Sequence, residues 1–285
     1  MNQGQEHRKI EALKGAGISW SKSKADVWDE LSVRMEEGEG QDRIRPLIPG
    51  RQWLALAASL LLLLSVGAFM RVYTKSYVAP AGEHLSLSLP DGSVVILNAD
   101  SQLGHHPYWW FVNRKVKLEG EAFFQVEKGR RFSVHSEQGL TTVLGTSFNI
   151  YARNADYRVR CHSGKVSVSN PGGNNELILL PGYQAELTPD GSFLQSAVDD
   201  GRTVPAWTRR LVLFMATPLD LVLQEVERQY GIEIEALGFE GLLYSGNFSL
   251  DEPVENVLTL ICRPFGLEYE HHAGNKYRIL PSGPD

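Results

Sequence analysis

The chain has 285 residues, of which 42% are hydrophobic and 22% charged, and its formal net charge is −6 at pH 7. This mildly acidic balance, without clusters of Lys and Arg, argues against nucleic acid as the main partner. Its two cysteines, Cys161 and Cys262, imply no disulfide framework, and we expect both to be small buried side chains.

Residues 1–50 predict a short amphipathic helix that leads into a linker. Ser23 is the expected N-cap, and Asp26 stands three places on, in the position of a capping box. The apolar side chains that we expect to contact a partner are Leu13, Trp20, Val27, Trp28, Leu31 and Met35. They are too few to bury a core of their own, so this face is available to another protein. A loosely folded tail is the alternative. Residues 36–50, rich in Gly, Glu and Pro, predict the linker.

Residues Trp53–Met70 predict a single transmembrane helix. The segment contains no ionisable side chain, and at about 1.5 Å per residue it spans roughly 27 Å, close to the thickness of the bilayer hydrocarbon. A buried helix of a soluble protein usually has a polar face, which this segment lacks. The residues expected to anchor the helix at the two interfaces are Arg51, Trp53, Arg71 and Tyr73.

This helix is expected to stay in the mature chain. A secretory signal has a short basic start and a small-x-small cleavage site, whereas 52 residues precede this helix and no such site follows it closely. More basic residues flank its leading side than its trailing side. They are Arg43, Arg45 and Arg51, then Arg71 and Lys75. By the positive-inside rule, this small excess favours an inner location for the leading segment.

After a linker at residues 71–80, residues 81–196 predict an all-β domain. Hydrophobic residues alternate with period two, and Gly, Pro, Asn and Asp interrupt the pattern. Pro-Asp-Gly-Ser at 90–93 and again at 189–192 predicts tight turns. The predicted strands are Ser93–Asn98, Arg114–Leu118, Ala122–Val126, Phe132–His135, Thr141–Leu144, Phe148–Tyr151, Tyr157–Cys161, Lys165–Ser169, Glu176–Leu180 and Gln184–Leu187. Many short strands are typical of a sandwich, a barrel or a solenoid, and the pattern does not choose among these.

Residues 205–281 predict a small α+β module with an internal repeat. Two stretches match at an offset of 35 residues. Each has a Pro at the first helical turn, a three-turn helix, and a Gly that ends the helix in the left-handed conformation. These residues are Pro218 and Gly231 in the first copy, and Pro253 and Gly266 in the second. Strands flank each helix, so the pattern is β-α-β written twice, closed by a hairpin through Gly274-Asn275.

We assign no catalytic residue, metal ligand or cofactor site from the sequence. Glu119 and Glu121 lie two apart on a predicted strand and point in parallel, whereas the two carboxylates of a glycosidase flank the scissile bond. The histidine pairs at 105–106 and 271–272 diverge and lack further ligands at the usual spacing. No phosphate-binding Gly motif, nucleophile elbow or H-E-x-x-H occurs. We therefore expect that the protein is not an enzyme.

Several blocks in a fixed order resemble the FecR family of anti-sigma factors. They are Leu89–Ser101, Val116–Val126, Val143–Ile150, Gly164–Val168 and Leu180–Gln184. The C-terminal part of the chain, with Pro218-Leu219 and Tyr230–Ile234, is similar to the C-terminal domain of FecR-like proteins of Bacteroidota. That domain resembles the short signalling domain of secretins and TonB-dependent transporters. The leading segment, with Trp20 and Trp28, resembles the family's cytoplasmic part only loosely.

The resemblance implies a location and two protein partners. FecR-like proteins lie in the bacterial inner membrane, with the N-terminal tail in the cytoplasm and the larger C-terminal part in the periplasm. The tail holds an extracytoplasmic-function sigma factor. The periplasmic part receives a signal from the signalling domain of an outer-membrane TonB-dependent transporter. The family's middle domain is β-solenoid-like, and its block at Leu118–Ala122 looks structural rather than catalytic.

Two other functions stay open from the residues alone. A membrane-tethered periplasmic protein that binds or hydrolyses carbohydrate would need a groove lined by aromatic side chains. The candidates for such a groove are Tyr108, Trp109, Trp110 and Phe111. A single cluster of this kind is more commonly core or membrane-proximal surface. A purely structural role in an assembly is a further alternative, because the C-terminal part of the chain resembles secretin modules.

Overall fold

The computed structural model describes residues 21–38, 50–173, 175–198, 204–236, 238–239 and 241–282. The chain divides into two units, residues 1–62 and 63–285. Helix α1 (Lys24–Gly38) lies in the first unit. It begins at a reciprocal cap, in which Ser23 N donates to Asp26 Oδ2 at 3.0 Å and Asp26 N donates to Ser23 Oγ at 3.2 Å. These two bonds satisfy amide donors that the first turn leaves unpaired.

Helix α2 (Gly50–Val72) is 23 residues long and extends beyond the predicted segment at both ends. Every side chain from 50 to 72 is exposed. Within the described residues it is the one helix long and apolar enough to cross a membrane. An apolar surface of this size is normally covered by lipid or protein, which is consistent with a single-pass membrane protein.

The β domain consists of thirteen strands. They are β1 (Lys75–Ala79), β2 (Leu85–Ser88), β3 (Val94–Leu97), β4 (Ser101–His105), β5 (Arg114–Gln125), β6 (Phe132–His135), β7 (Leu140–Val143), β8 (Ser147–Arg153), β9 (Asp156–Ser163), β10 (Val166–Ser169), β11 (Glu176–Leu179), β12 (Tyr183–Leu187) and β13 (Phe193–Ala197). One sheet has the order β1-β4-β5-β6-β7-β10-β11. The other has the order β2-β3-β5-β8-β9-β12-β13.

Strand β5 belongs to both sheets because it bends at Gly120. Residues 116–119 pair with β4, and residues 120–125 pair with β8. Gly120 has φ +100°, and a Cβ atom there would lie 2.8 Å from Ser101 Cα. Side chains of both sheets join one hydrophobic core, for example Leu118 and Val134 from the first and Phe124 and Ile150 from the second. The domain is therefore a two-sheet sandwich joined through one strand.

Two predictions about the β domain differ from the structure. Arg114–Leu118 and Ala122–Val126 were predicted as separate strands, but both are parts of β5. Gly120 interrupts the alternating pattern of the sequence without ending the strand. The predicted linker at 71–80 contains β1, which pairs antiparallel with β4. Its five residues alternate too briefly to stand out beside the apolar helix.

The solenoid-like domain implied by the family resemblance is also corrected. A solenoid stacks successive coils through parallel strands. Within the described residues of the β domain, only β5 and β6 pair in parallel. The other pairs are antiparallel, and the core lies between two sheets.

The C-terminal module has the predicted β-α-β pattern twice. Its elements are β14 (Leu211–Pro218), α3 (Leu219–Tyr230), β15 (Glu233–Glu235), β16 (Leu243–Ser249), α4 (Val254–Cys262), β17 (Leu267–His271) and β18 (Lys276–Pro281). The first strands of the two copies, β14 and β16, pair antiparallel, whereas β15 and β17 flank β18. Gly231 and Gly266 are left-handed, with φ +65° and +64°, as predicted. Pro218 and Pro253 stand at the N-caps, directly before the first helical residue.

A buried hydrogen bond connects the two sheets of the β domain across the core. Tyr157 on β9 and Thr141 on β7 lie 2.7 Å apart through their hydroxyl oxygens. We expect Tyr157→Phe to lower the free energy of unfolding by about 1–2 kcal/mol, because the buried Thr141 hydroxyl loses its partner. Thermal unfolding of the full chain in detergent measures this loss. Tyr183→Phe, at an exposed ring, is the control, and equal melting temperatures of the two variants would contradict the expectation.

Candidate functional site

The predicted partner-binding face of α1 is exposed in the structure. Trp28 is 61% exposed and Met35 68%, Leu31 is also exposed, and Val27 is partly buried. At 3.6 residues per turn, these four side chains fall within an arc of about 100°. The other two predicted contacts, Leu13 and Trp20, lie outside the described residues.

Salt bridges hold part of the remaining surface of α1. Lys22 Nζ lies 2.6 Å from Glu30 Oε2, and Arg34 lies 3.7 Å from Glu30 Oε1. The Lys22 ammonium and, less strongly, Arg34 lower the pKa of Glu30. The helix thus has a charged surface beside its apolar arc, the arrangement that an amphipathic helix presents to a hydrophobic groove.

The predicted membrane anchors lie at both ends of α2. Arg51 and Trp53 stand in its first turn, and Arg71 stands in its last. Tyr73 follows the helix directly, and its ring lies 5.5 Å from that of Phe69. All four anchors are exposed, as an interfacial position requires.

The four aromatics at 108–111 do not line one groove. Trp110 is 1% exposed and packs edge-on against Phe132, with ring centroids 5.9 Å apart. Tyr108, Trp109 and Phe111 are exposed instead. A carbohydrate-binding surface built from all four is therefore excluded, because one of them is a core residue.

A buried polar network of the second unit lies where the C-terminal module meets the β domain. We call it the interdomain junction and define it by Asn98, Glu121, Asn149, Glu225 and Gln229. Asn98 follows β3, Glu121 lies on β5 and Asn149 on β8. Glu225 and Gln229 lie one turn apart on α3. Helical spacing thus directs both α3 side chains toward the same place.

These five side chains form a continuous chain of hydrogen bonds. Gln229 Nε2 donates to Glu225 Oε1 at 2.7 Å and to Asn98 Oδ1 at 2.8 Å. Asn98 Nδ2 and Asn149 Nδ2 donate to the two carboxylate oxygens of Glu121, each at 2.8 Å. Helix α3 is thereby connected to the strand that both sheets share.

Glu121 is the buried carboxyl group of this network and lies between Asn98 and Asn149. Burial, followed by the nearby negative charge of Glu225, raises the pKa of its carboxyl group. The bonds from Asn149 and Asn98 and the charge of Arg153 act in the opposite direction. The carboxyl group is thus held by amide donors from Asn98, after β3, and from Asn149 on β8, in the manner of a structural polar network.

Further contacts surround the interdomain junction. His84 Nε2 donates to Gln229 Oε1 at 2.9 Å, and the His84 ring meets Trp207 edge-on at 5.4 Å. Gly82 N donates to Arg228 O at 2.8 Å. Arg228 in turn binds Glu225 Oε2 at 2.7 Å. The backbone bond and the His84 contacts thus tie the module to the β domain, while the Arg228–Glu225 pair lies within α3.

Glu119 and Glu121 do not form a carboxylate pair of the glycosidase type. Glu119 lies on the solvent side of the Gly120 bend and pairs with Lys117 at 2.7 Å. Glu121 is buried in the interdomain junction, so the two carboxylates do not face a common substrate position. Among the described residues, no group of three or more His, Cys, Asp or Glu side chains could hold a metal ion. What the geometry shows is a hydrogen-bonded connection from α3 through Asn98 to β5.

Comparison with known proteins gives consistent matches. The family model described as "FecR protein" matches residues 75–167, and "FecR, C-terminal" matches residues 211–279. No curated protein matches the chain. A crystal structure of a "putative anti-sigma factor" from Parabacteroides distasonis ATCC 8503 is 30% identical, with a TM-score of 0.66 over 74% of this chain and 100% of that one. A second structure with the same description and source is 29% identical, with a TM-score of 0.65 over 73% and 100%.

Proposed function

The chain belongs to the FecR family of anti-sigma factors, and we propose that it relays a periplasmic signal across the inner membrane of a bacterium to a cytoplasmic sigma factor. Such a regulator needs a surface for sigma on one side of the membrane and a receiver on the other. The observation that carries the proposal is the order of parts along the chain. An exposed apolar helix precedes one apolar span, and the two family-matched modules follow it.

Helix α1 is the proposed contact with an extracytoplasmic-function sigma factor. Its exposed arc contains Trp28, and tryptophan is among the residues most often found at binding hot spots. Leu31 and Met35 extend the same arc by one and two turns. An amphipathic helix of this kind fits a hydrophobic groove. The family supplies the class of partner for that groove, a sigma factor.

The orientation that we propose places α1 in the cytoplasm. Three basic residues, Arg43, Arg45 and Arg51, precede or begin the span, against Arg71 and Lys75 after it. This bias follows the positive-inside rule. The β domain and the C-terminal module then lie in the periplasm.

The proposed receiver is the pair of family-matched domains, and the proposed source of the signal is the periplasmic signalling domain of an outer-membrane TonB-dependent transporter. The interdomain junction supports this function because it couples the two domains. Gln229 and Glu225 on α3 reach Glu121 on β5 through Asn98. A partner that moves the C-terminal module would therefore act on the strand common to both sheets.

Binding of the full chain to the sigma factors of its host tests the proposal. We expect Trp28→Ala combined with Leu31→Ala to weaken binding about 100-fold, because truncating central interface anchors typically costs 2 kcal/mol or more. Each sigma factor is co-expressed with the wild-type chain or the variant, and complexes purified in detergent are titrated.

Val33→Ala is the matched control, because Val33 is an exposed apolar residue of α1 on the side opposite to Trp28. It should bind like the wild type. Failure of every sigma factor to bind the wild-type chain, or equal binding by the double variant, would refute the sigma contact.

A further inference from the structure

An exposed loop of the β domain lies against the C-terminal end of helix α2. The loop, residues 106–113, connects β4 to β5 and contains the short helical turn Pro107–Trp109. Its apolar side chains Tyr108, Trp109, Phe111 and Val112 are exposed, and Phe111 reaches 73%. We call the loop that carries these four side chains the aromatic loop. Exposed apolar clusters of this size mark contact surfaces.

The loop is fixed by its base rather than loosely attached. Trp110 is buried between His105 and Phe132, with ring centroids 5.3 and 5.9 Å away. Arg130 donates a hydrogen bond to the Phe111 carbonyl oxygen. Because the Trp110 side chain is anchored in the core, the position of the adjacent residues is fixed. The exposure of Trp109 and Phe111 therefore follows from the fold.

Direct contacts place the aromatic loop at the end of the apolar helix. The Tyr108 ring lies 5.6 Å from the Tyr73 ring, and the Arg71 guanidinium lies 5.8 Å from the Trp109 ring. His106 Nδ1 donates to the Tyr73 carbonyl oxygen at 3.0 Å. The loop therefore stands at the same level as the residues that end α2.

The chain segments that form the loop and the end of α2 carry basic side chains and no acidic ones. Residues 66–82 and 105–118 contain no Asp or Glu. Arg71, Lys75 and Lys115 lie within these segments. Aromatic rings accompanied by basic side chains are the composition that membrane interfaces favour, since the rings partition below the headgroups and the cations attract anionic lipids.

We propose that the aromatic loop inserts into the bilayer interface beside the end of α2, giving the β domain a second membrane contact. The partner is thus a lipid surface, because the loop is continuous with the end of the helix assigned to the bilayer. Two contacts restrict the tilt and rotation of the β domain relative to the membrane, whereas one helix and a short strand alone would leave it free. This inference depends on the span in the proposed function.

Depth-dependent quenching in the full chain tests the loop and the span separately. Phe111→Cys carries a polarity-sensitive fluorophore in the loop, Leu63→Cys carries it in the span, and Leu194→Cys carries it on exposed β13. The native Cys161 and Cys262 are buried, and burial raises the pKa of both thiols to about 11, so they resist labelling at neutral pH. The proteins are reconstituted in bilayer nanodiscs that contain lipids with a nitroxide at the headgroup or deep in the acyl chain.

We expect the label at 111 to be quenched most by the headgroup nitroxide, the label at 63 most by the deep nitroxide, and the label at 194 by neither. Val112→Cys is an independent reporter and should behave like position 111. A label at 111 that behaves like the one at 194, while position 63 is quenched, would overturn the loop contact and leave the span intact. Absence of quenching at 63 would instead overturn the span.

Discussion

Gly120→Ala is expected to lower the free energy of unfolding of the β domain by about 3–5 kcal/mol, because an L side chain is strained at this backbone conformation and collides with its neighbour. Gly120 has φ +100°, and the added Cβ would lie 2.5–2.8 Å from atoms of Ser101. One of these atoms is Ser101 Cα, so a change of rotamer cannot relieve the contact. Bending of β5 between its two sheets depends on this glycine.

Gly182→Ala is the matched control for Gly120→Ala. Gly182 also has a positive φ, +87°, but nothing lies within 4 Å of a Cβ atom there. In this variant only the backbone strain lowers the free energy of unfolding, by about 1–2 kcal/mol. Melting temperatures of the full chain in detergent should therefore fall by about 10 °C or more for Gly120→Ala and by only a few degrees for Gly182→Ala. Equal losses would show that the close approach to Ser101 does not matter.

The second large effect is expected at Glu121. Glu121→Ala removes the acceptor for both Asn98 Nδ2 and Asn149 Nδ2, which lie 2.8 Å from its oxygens. Leaving these two donors without a partner, together with the cavity, should cost about 3–5 kcal/mol. Glu121→Gln keeps the volume and one acceptor but leaves one amide donor without a partner, so we expect a smaller cost, about 1–3 kcal/mol. If Glu121→Ala melted like the wild type, the interdomain junction would not stabilise the fold.

The pair of variants also predicts a pH dependence. Burial and, secondarily, Glu225 raise the pKa of Glu121, and the hydrogen bonds from Asn149 and Asn98, followed by the charge of Arg153, act against them. The folded state therefore binds this proton more tightly than the unfolded chain. Its contribution to stability is fully present below the unfolded pKa of about 4.3 and is lost as the pH rises through the folded pKa. We expect the stability of the wild type, relative to Glu121→Gln, to fall as the pH rises from 4 toward neutrality in thermal scans. A rise would contradict the assigned direction.

Local features of the fold could be predicted from the sequence because each has a nearby physical cause. Gly231 ends α3 in the left-handed conformation, and Gly266 ends the short 3-10 turn Arg263–Phe265 that follows α4 in the same conformation, as their position after an amphipathic run predicts. Ser23 and Asp26 cap α1 through neighbouring atoms. The strand Phe132–His135 was predicted with its observed bounds. Each of these outcomes depends on residues a few positions apart.

The interdomain junction could not be predicted because its residues are distant from one another in the chain. Gln229 and Asn98 are 131 positions apart, and no local pattern joins them. The sequence showed Glu121 as a neighbour of Glu119 on one strand and as part of a family block, but it did not show its burial. Likewise, four consecutive aromatics at 108–111 gave no sign that Trp110 alone would enter the core. The continuous, bent strand β5 could not be predicted because a glycine in a strand pattern usually marks a break or a bulge.

The claim on which the function depends is that α1 and the C-terminal module lie on opposite sides of one membrane. Asp29→Cys on α1 and Met215→Cys on β14, where Met215 is 88% exposed, provide accessible thiols in the two parts. In spheroplasts with an intact inner membrane, a membrane-impermeant thiol reagent should label position 215 at once and position 29 only after the membrane is permeabilised. Labelling of both positions before permeabilisation, or of neither, would contradict the account.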